Sequence, residues 1–118
     1  MNAISPVEGS DTVLRAAQFG TSGLIPVIAQ DVDSNRVLMM AWMDSEALRR
    51  TLAEGRVTYF SRSRCEYWRK GDTSGNVQYA VRVDLDCDRD VILLTVRQSG
   101  PACHTGQNSC FDGADIDG

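Results

Sequence analysis

The chain has 118 residues, 42% of them hydrophobic and 24% charged, and carries a net charge of −4. That length suits one compact domain over residues 1–118, and the acidic balance excludes the basic field a nucleic-acid polymer binder requires. No apolar run approaches the roughly 20 residues that span a bilayer. The N-terminus, MNAISPVEGS, lacks the basic and apolar regions of a secretory signal, so a cytoplasmic protein without membrane contact is expected.

Residues 1–20 read as a peripheral N-terminal segment. A short helix is expected over 10–18, capped by Ser10 or Asp11, with Val13, Leu14 and Ala17 as its apolar side. The β-branched run 24–30, turn chemistry at 31–35 and a second apolar run at 36–43 predict a hairpin. Asp44 stands at an N-cap position, Ala47, Leu48, Thr51 and Leu52 follow with helical spacing, and Gly55 supplies a stop. A helix over 45–54 is therefore the clearest local element. Residues 57–61 read as a short strand and 62–75 as a long polar connection. Two further strands are expected, at 76–84, with Val77, Tyr79, Val81 and Val83 on one side, and at 91–96. Residues 100–113 have no apolar periodicity. The whole predicts a β-rich α+β domain of four or five strands and one clear helix.

Three features carry chemistry. The first is cysteine: Cys87 in DCDRD, and Cys103 and Cys110 in CHTGQNSC. Three thiolates make a good soft-ligand set for zinc, and three protein ligands rather than four leave a position for water, as catalytic sites do. Inert core cysteines are the alternative, and His104 as a fourth ligand would close the site. Cys65 reads as a non-ligand thiol. The second feature is the run Asp84, Asp86, Asp88, Asp90. An extended backbone would put these carboxylates on one face and Cys87 on the other. A hard cation such as Mg²⁺ would relieve their repulsion; a solvated acidic turn is the plainer reading. Turned away from its aspartate neighbours, Cys87 would be placed to meet Cys103 and Cys110 across a dimer interface.

The third feature is SRSRCEYWRKGDTSG, residues 61–75. Arg62, Arg64, Arg69 and Lys70, with Thr73, Ser74 and two glycines, suit a phosphate. Trp68 or Tyr67 suits a stacked base, unless Trp68 belongs to the core. The Walker spacing is absent.

In order, spacing and residue type, GLIPVIAQD, VLMMAWMDSEAL, SRSRCEYWRKGDTSG, DCDRD and GPACHTGQNSCF resemble the phosphoribosyl-AMP cyclohydrolase family over about residues 23–111. The resemblance implies hydrolysis of the N1–C6 bond of 1-(5-phosphoribosyl)-AMP, giving the ring-opened formimino-carboxamide product, a step of histidine biosynthesis. It implies an intertwined homodimer. Zinc would sit at Cys87, Cys103 and Cys110, Cys87 coming from the partner subunit, and magnesium at Asp86, Asp88 and Asp90. The monofunctional form, without a fused second enzyme domain, is expected. Arg62, Arg64, Trp68, Lys70, Thr73 and Ser74 are the expected substrate contacts, and His104 the expected general acid–base. Asp72 departs from the glutamate usual in the family's loop, and Cys65 falls at a variable position. Two other readings are a different zinc nucleotide hydrolase or deaminase, whose H-x-E…P-C-x-x-C signature is missing, and a zinc-stabilised binding module.

Overall fold

A computed structural model describes residues 7–100 and 109–111. Among these the chain forms helix α1 (Ser10–Ala16), strands β1 (Ile25–Asp31) and β2 (Val37–Met43), and helix α2 (Ser45–Glu54). Strands β3 (Thr58–Ser61), β4 (Glu66–Arg69), β5 (Gln78–Leu85) and β6 (Ile92–Gln98) follow. The expected strand-rich α+β class holds, with the short helix and the clear helix both where expected, and six strands among the described residues rather than four or five.

The additional strand is β4, inside the stretch expected to be a connection. It pairs antiparallel with β3, Tyr59 opposite Trp68 and Phe60 opposite Tyr67. The facing rings have centroids 5.0 and 5.3 Å apart. Such cross-strand aromatic pairs offset the polar character of the surrounding residues. Cys65, at φ 53°, makes the turn.

The main sheet runs β2-β1-β6-β5. β1 and β6 are parallel, and the other pairs antiparallel. Alternation puts Ile25, Val27 and Ala29 of β1 and Ile92, Leu94 and Val96 of β6 into the core, with Leu48 and Leu52 of α2, Val13 of α1 and Tyr59 of β3. The opposite face, with Pro26 beside Trp42 and Ile28 between Met40 and Leu93, is only partly covered. Met40 is 49% exposed.

Two bulges shape this sheet. Ala29 pairs with Met39 but Gln30 with Val37, so Leu38 is an extra residue in β2. Ala80 pairs with Val96 but Arg82 with Thr95, so Val81 is extra in β5. The second bulge overturns the expected side of β5. Gln78, Ala80 and Val83 are buried while Tyr79 lies outside, because one inserted residue reverses the alternation.

Helix α2 begins and ends as expected. The Asp44 side chain accepts from the Ala47 N–H at 2.8 Å, and Gly55 terminates the helix at φ 78°. Helix α1 departs in detail: left-handed Gly9 precedes it, and the Ser10 hydroxyl donates back to the Val7 carbonyl at 2.7 Å rather than capping.

On α2, Glu46 accepts from Arg49 at 2.6 Å and from Arg50 at 2.8 Å. These bonds lower its pKa from 4.5 to about 2. A depressed carboxylate stabilises the fold above its unfolded pKa and stops doing so as pH falls through its folded one. Glu46→Gln should therefore be slightly less stable than the parent at neutral pH. The gap should narrow below about pH 4.5 and close near pH 2. Because the pair is exposed, added salt should shrink it too. Urea melts across that range, at low and high salt, measure it.

Candidate active site

The β3–β4 hairpin and the turn after it form a cleft of about 460 Å³ lined by Arg64, Glu66, Tyr67, Trp68, Arg69, Lys70, Gly71, Asp72, Thr73 and Ser74. Five of the six expected substrate contacts, Arg64, Trp68, Lys70, Thr73 and Ser74, meet there. The sixth, Arg62, lies over the Trp42 ring at 4.4 Å, in a neighbouring depression that shares Trp68. Trp68 serves both readings of it, packing one side on buried Tyr59 and lining the cleft with another.

Two interactions that hold this cleft had no sequence signal of their own. The Tyr67 hydroxyl donates to Asp44 at 2.6 Å, so one carboxylate caps α2 and pins β4. That hydrogen bond is the main cause of a raised Tyr67 pKa, and the Arg50 guanidinium lies 4.4 Å from the ring centroid. Asp72 accepts from Arg69 at 2.8 Å and from Arg56 at 3.0 Å. Arg69 foremost, with Arg56, keeps the Asp72 carboxyl below the ordinary range. Asp72 thus ties the loop to the residues leading into β3. A partner 16 or 23 residues away in another element leaves no local pattern.

The aspartates converge, though not as an extended run. β5 ends at Leu85, and residues 86–90 form a turn with Arg89 at φ 64°. The Asp86 side chain accepts from the Asp90 N–H at 3.0 Å and the Val91 N–H at 3.2 Å, and the Gln18 N–H bonds the Arg89 carbonyl at 2.7 Å. Carboxylate oxygens of Asp86, Asp88 and Asp90 all come within 4.8 Å of one another. Among the described residues this is the one cluster of three able to hold a metal ion. Partial loss of solvent, then the charges of Asp86 and Asp88, raise the Asp90 pKa. Asp84 stays out, paired with Arg82 at 2.8 Å.

Cys87 is exposed within that turn, and Cys110 is exposed at the other edge of the sheet. The Cys110 N–H donates to the Leu38 carbonyl at 2.7 Å, and buried Ser109 donates to the Val37 carbonyl at 2.6 Å. β2 and β5 lie three inter-strand steps apart, on the order of 14 Å, and Cys87 lies past the end of β5. Two thiolates on one zinc sit within roughly 4 Å. Cys103 and His104 lie outside the described residues. Cys65 is exposed at its turn and, among the described residues, belongs to no cluster able to hold a metal.

A basic, aromatic-walled cleft and a carboxylate cluster in one small α+β domain are the equipment of an enzyme acting on a charged small molecule. A sequence profile of phosphoribosyl-AMP cyclohydrolase matches residues 39–112. A phosphoribosyl-AMP cyclohydrolase of Renibacterium salmoninarum is 64% identical over 92 residues, covering 78% of this chain and 70% of that protein. Those of Clavibacter michiganensis (56% over 112 residues, 95% and 85% covered) and Streptomyces griseus (55% over 111 residues, 93% and 89% covered) match over more of the chain. The chain belongs to the phosphoribosyl-AMP cyclohydrolase family, a family of hydrolases.

Gly71 lines the cleft and lies close against Val77. Its φ is +93°, and a Cβ there would stand 2.5 Å from the Val77 Cα. Gly71→Ala should cost roughly 1–2 kcal/mol or more. Because the loop must lift from Val77, substrate affinity should fall more than turnover. Thermal melts with KM and kcat determination test this.

Proposed function

We propose that the chain hydrolyses the N1–C6 bond of the adenine ring of 1-(5-phosphoribosyl)-AMP, a step of histidine biosynthesis, in the cytoplasm. Family membership is the observation that carries this reading. No helix among the described residues is long and apolar enough to cross a membrane.

The donor set fits two metals. Cys87, Cys103 and Cys110 would hold zinc, whose preference is for soft thiolates, and Asp86, Asp88 and Asp90 would hold magnesium, whose preference is for carboxylate oxygen. The chemistry zinc supplies when bound is a water acidified enough to attack carbon near neutral pH. His104, beside ligand Cys103 in sequence, takes the water's proton and returns it as N1 leaves. Arg62, Arg64 and Lys70 neutralise the phosphates, Thr73 and Ser74 add hydroxyl donors, and Trp68 stacks on the base. The N1-ribosyl group leaves the substrate ring cationic, so C6 is already activated toward attack.

The zinc site is read as shared between two copies of the chain. Two observations support this. Cys87 and Cys110 sit at opposite edges of one sheet, too far apart for a common ion. The half-covered apolar face around Ile28, Met40, Trp42 and Leu93 is a surface a second copy would bury.

The test is the ultraviolet change on mixing protein with phosphoribosyl-AMP, zinc and magnesium. A change lost with chelator and regained with zinc is expected; no change from folded, zinc-loaded protein would overturn the assignment. His104→Ala should keep its zinc and lose roughly 10²–10⁴-fold in turnover; near-normal turnover would remove His104 from the mechanism.

A further inference from the structure

The least exposed polar side chain of β5, Gln78, has no part in the chemistry above. It is 0% exposed, yet every hydrogen-bonding group of its amide is engaged. Its Oε1 accepts from the Tyr59 hydroxyl at 2.6 Å. Its Nε2 donates to Gln98 Oε1 at 2.8 Å and approaches Met39 Sδ at 3.4 Å. Four strands, β2, β3, β5 and β6, therefore meet on one buried amide.

What lies at the ends of this cluster is informative. Met39 follows Leu38, whose carbonyl receives the Cys110 N–H, and Val37, whose carbonyl receives Ser109. Gln98 Nε2 reaches the Asn76 carbonyl at 3.4 Å, next to Gly75 at the end of the substrate loop. The Ser99 N–H bonds the Val77 carbonyl at 2.9 Å, and Val77 is the residue on which Gly71 rests. One end of the cluster thus lies under Cys110 and the other under the cleft.

We infer that Gln78, with Tyr59 and Gln98, is a positioning residue that sets the Cys110 thiolate for the metal and the Gly71–Asn76 loop for substrate through one rigid buried amide. The inference rests on Cys110 being a zinc ligand, as proposed above. An apolar cluster of the same volume would hold the core as well, since removing both partners of a buried hydrogen bond can be nearly neutral. It would lack directional bonds, and supports behind a ligand govern how tightly a metal is held.

That contrast supplies the experiment. Tyr59→Phe/Gln78→Met removes donor and acceptor together and keeps the volume; Gln98 is half-buried and can turn to water. Three quantities are measured on the full-length protein: melting temperature, zinc affinity by competition with a chromophoric chelator, and KM and kcat at saturating zinc and magnesium. A melting temperature near the parent's is expected, with zinc affinity down roughly 10–100-fold and KM raised several-fold while kcat changes little. Should the double variant fail to fold, Tyr59→Phe alone gives the same comparison with a smaller effect. Parent-like zinc affinity and KM in a folded variant would overturn the inference and leave these residues as core. Cys110→Ser run alongside separates the two claims. Unchanged zinc affinity there sinks the ligand assignment itself; a large loss there, with none in the double variant, sinks only the positioning role.

Discussion

Everything in this domain depends on how the outer edge of β5 satisfies its backbone. An edge strand presents a row of unpaired N–H and C=O groups, and here two segments from distant parts of the chain take them up. The Ala80 N–H donates to the Gly55 carbonyl and the Val57 N–H to the Gln78 carbonyl, which brings the end of α2 and the start of β3 onto the strand. Further along, the Glu8 N–H donates to the Val81 carbonyl and its own carbonyl accepts from Val83. The bulge at Val81 allows the two attachments to occupy one edge. The Ala80 and Val57 bonds add to the Thr51–Thr58 hydrogen bonds and the Tyr67–Asp44 bond that fix the β3–β4 hairpin against α2.

The same economy governs the site. Charged groups are not scattered over a neutral frame; most are already committed to one another. Asp44 holds both α2 and Tyr67, Asp72 holds Arg56 and Arg69, and Arg82 holds Asp84 and Glu8. Against that background Asp86, Asp88 and Asp90 stand apart, for partial loss of solvent and then the charges of Asp86 and Asp88 raise the Asp90 pKa. Three carboxylates with oxygens within 4.8 Å of one another are arranged against their own repulsion. That crowding is the physical support for the proposal that a cation is held there.

Much of this was legible in the chain. Asp44, the apolar spacing of α2 and Gly55 gave the helix to the residue, because capping and left-handed termination are local effects written in adjacent positions. The β1–β2 hairpin was legible for the same reason. What was hidden came from pairing across distance. Glu66–Arg69 is polar in sequence and becomes a strand because Tyr67 and Trp68 find Phe60 and Tyr59. The side of β5 was misread because a bulge is a property of two strands and not of one. The aspartates were expected together for the wrong reason. Period-two extension was replaced by a turn, and the residues still converged because a tight turn also brings i, i+2 and i+4 close. Gln78 looked like one polar residue in a strand, and only the packing of four strands around it shows otherwise.

The anchorage of Ser109 has a consequence for the history of each molecule. Its hydroxyl completes the carbonyls of β2 across 72 residues of sequence, and the Arg82–Glu8 pair closes a span of 74. Both contacts join segments far apart in the sequence. During synthesis, a chain extended only to the end of β6 has all six strands but lacks the bonds from Ser109 and Cys110 to the Val37 and Leu38 carbonyls. Such topology is slow to close, since distant loops must be ordered before any contact rewards them. The turn carrying Ser109 and Cys110 therefore follows all six strands in the chain, which makes the anchorage of the second strand a late step in its growth.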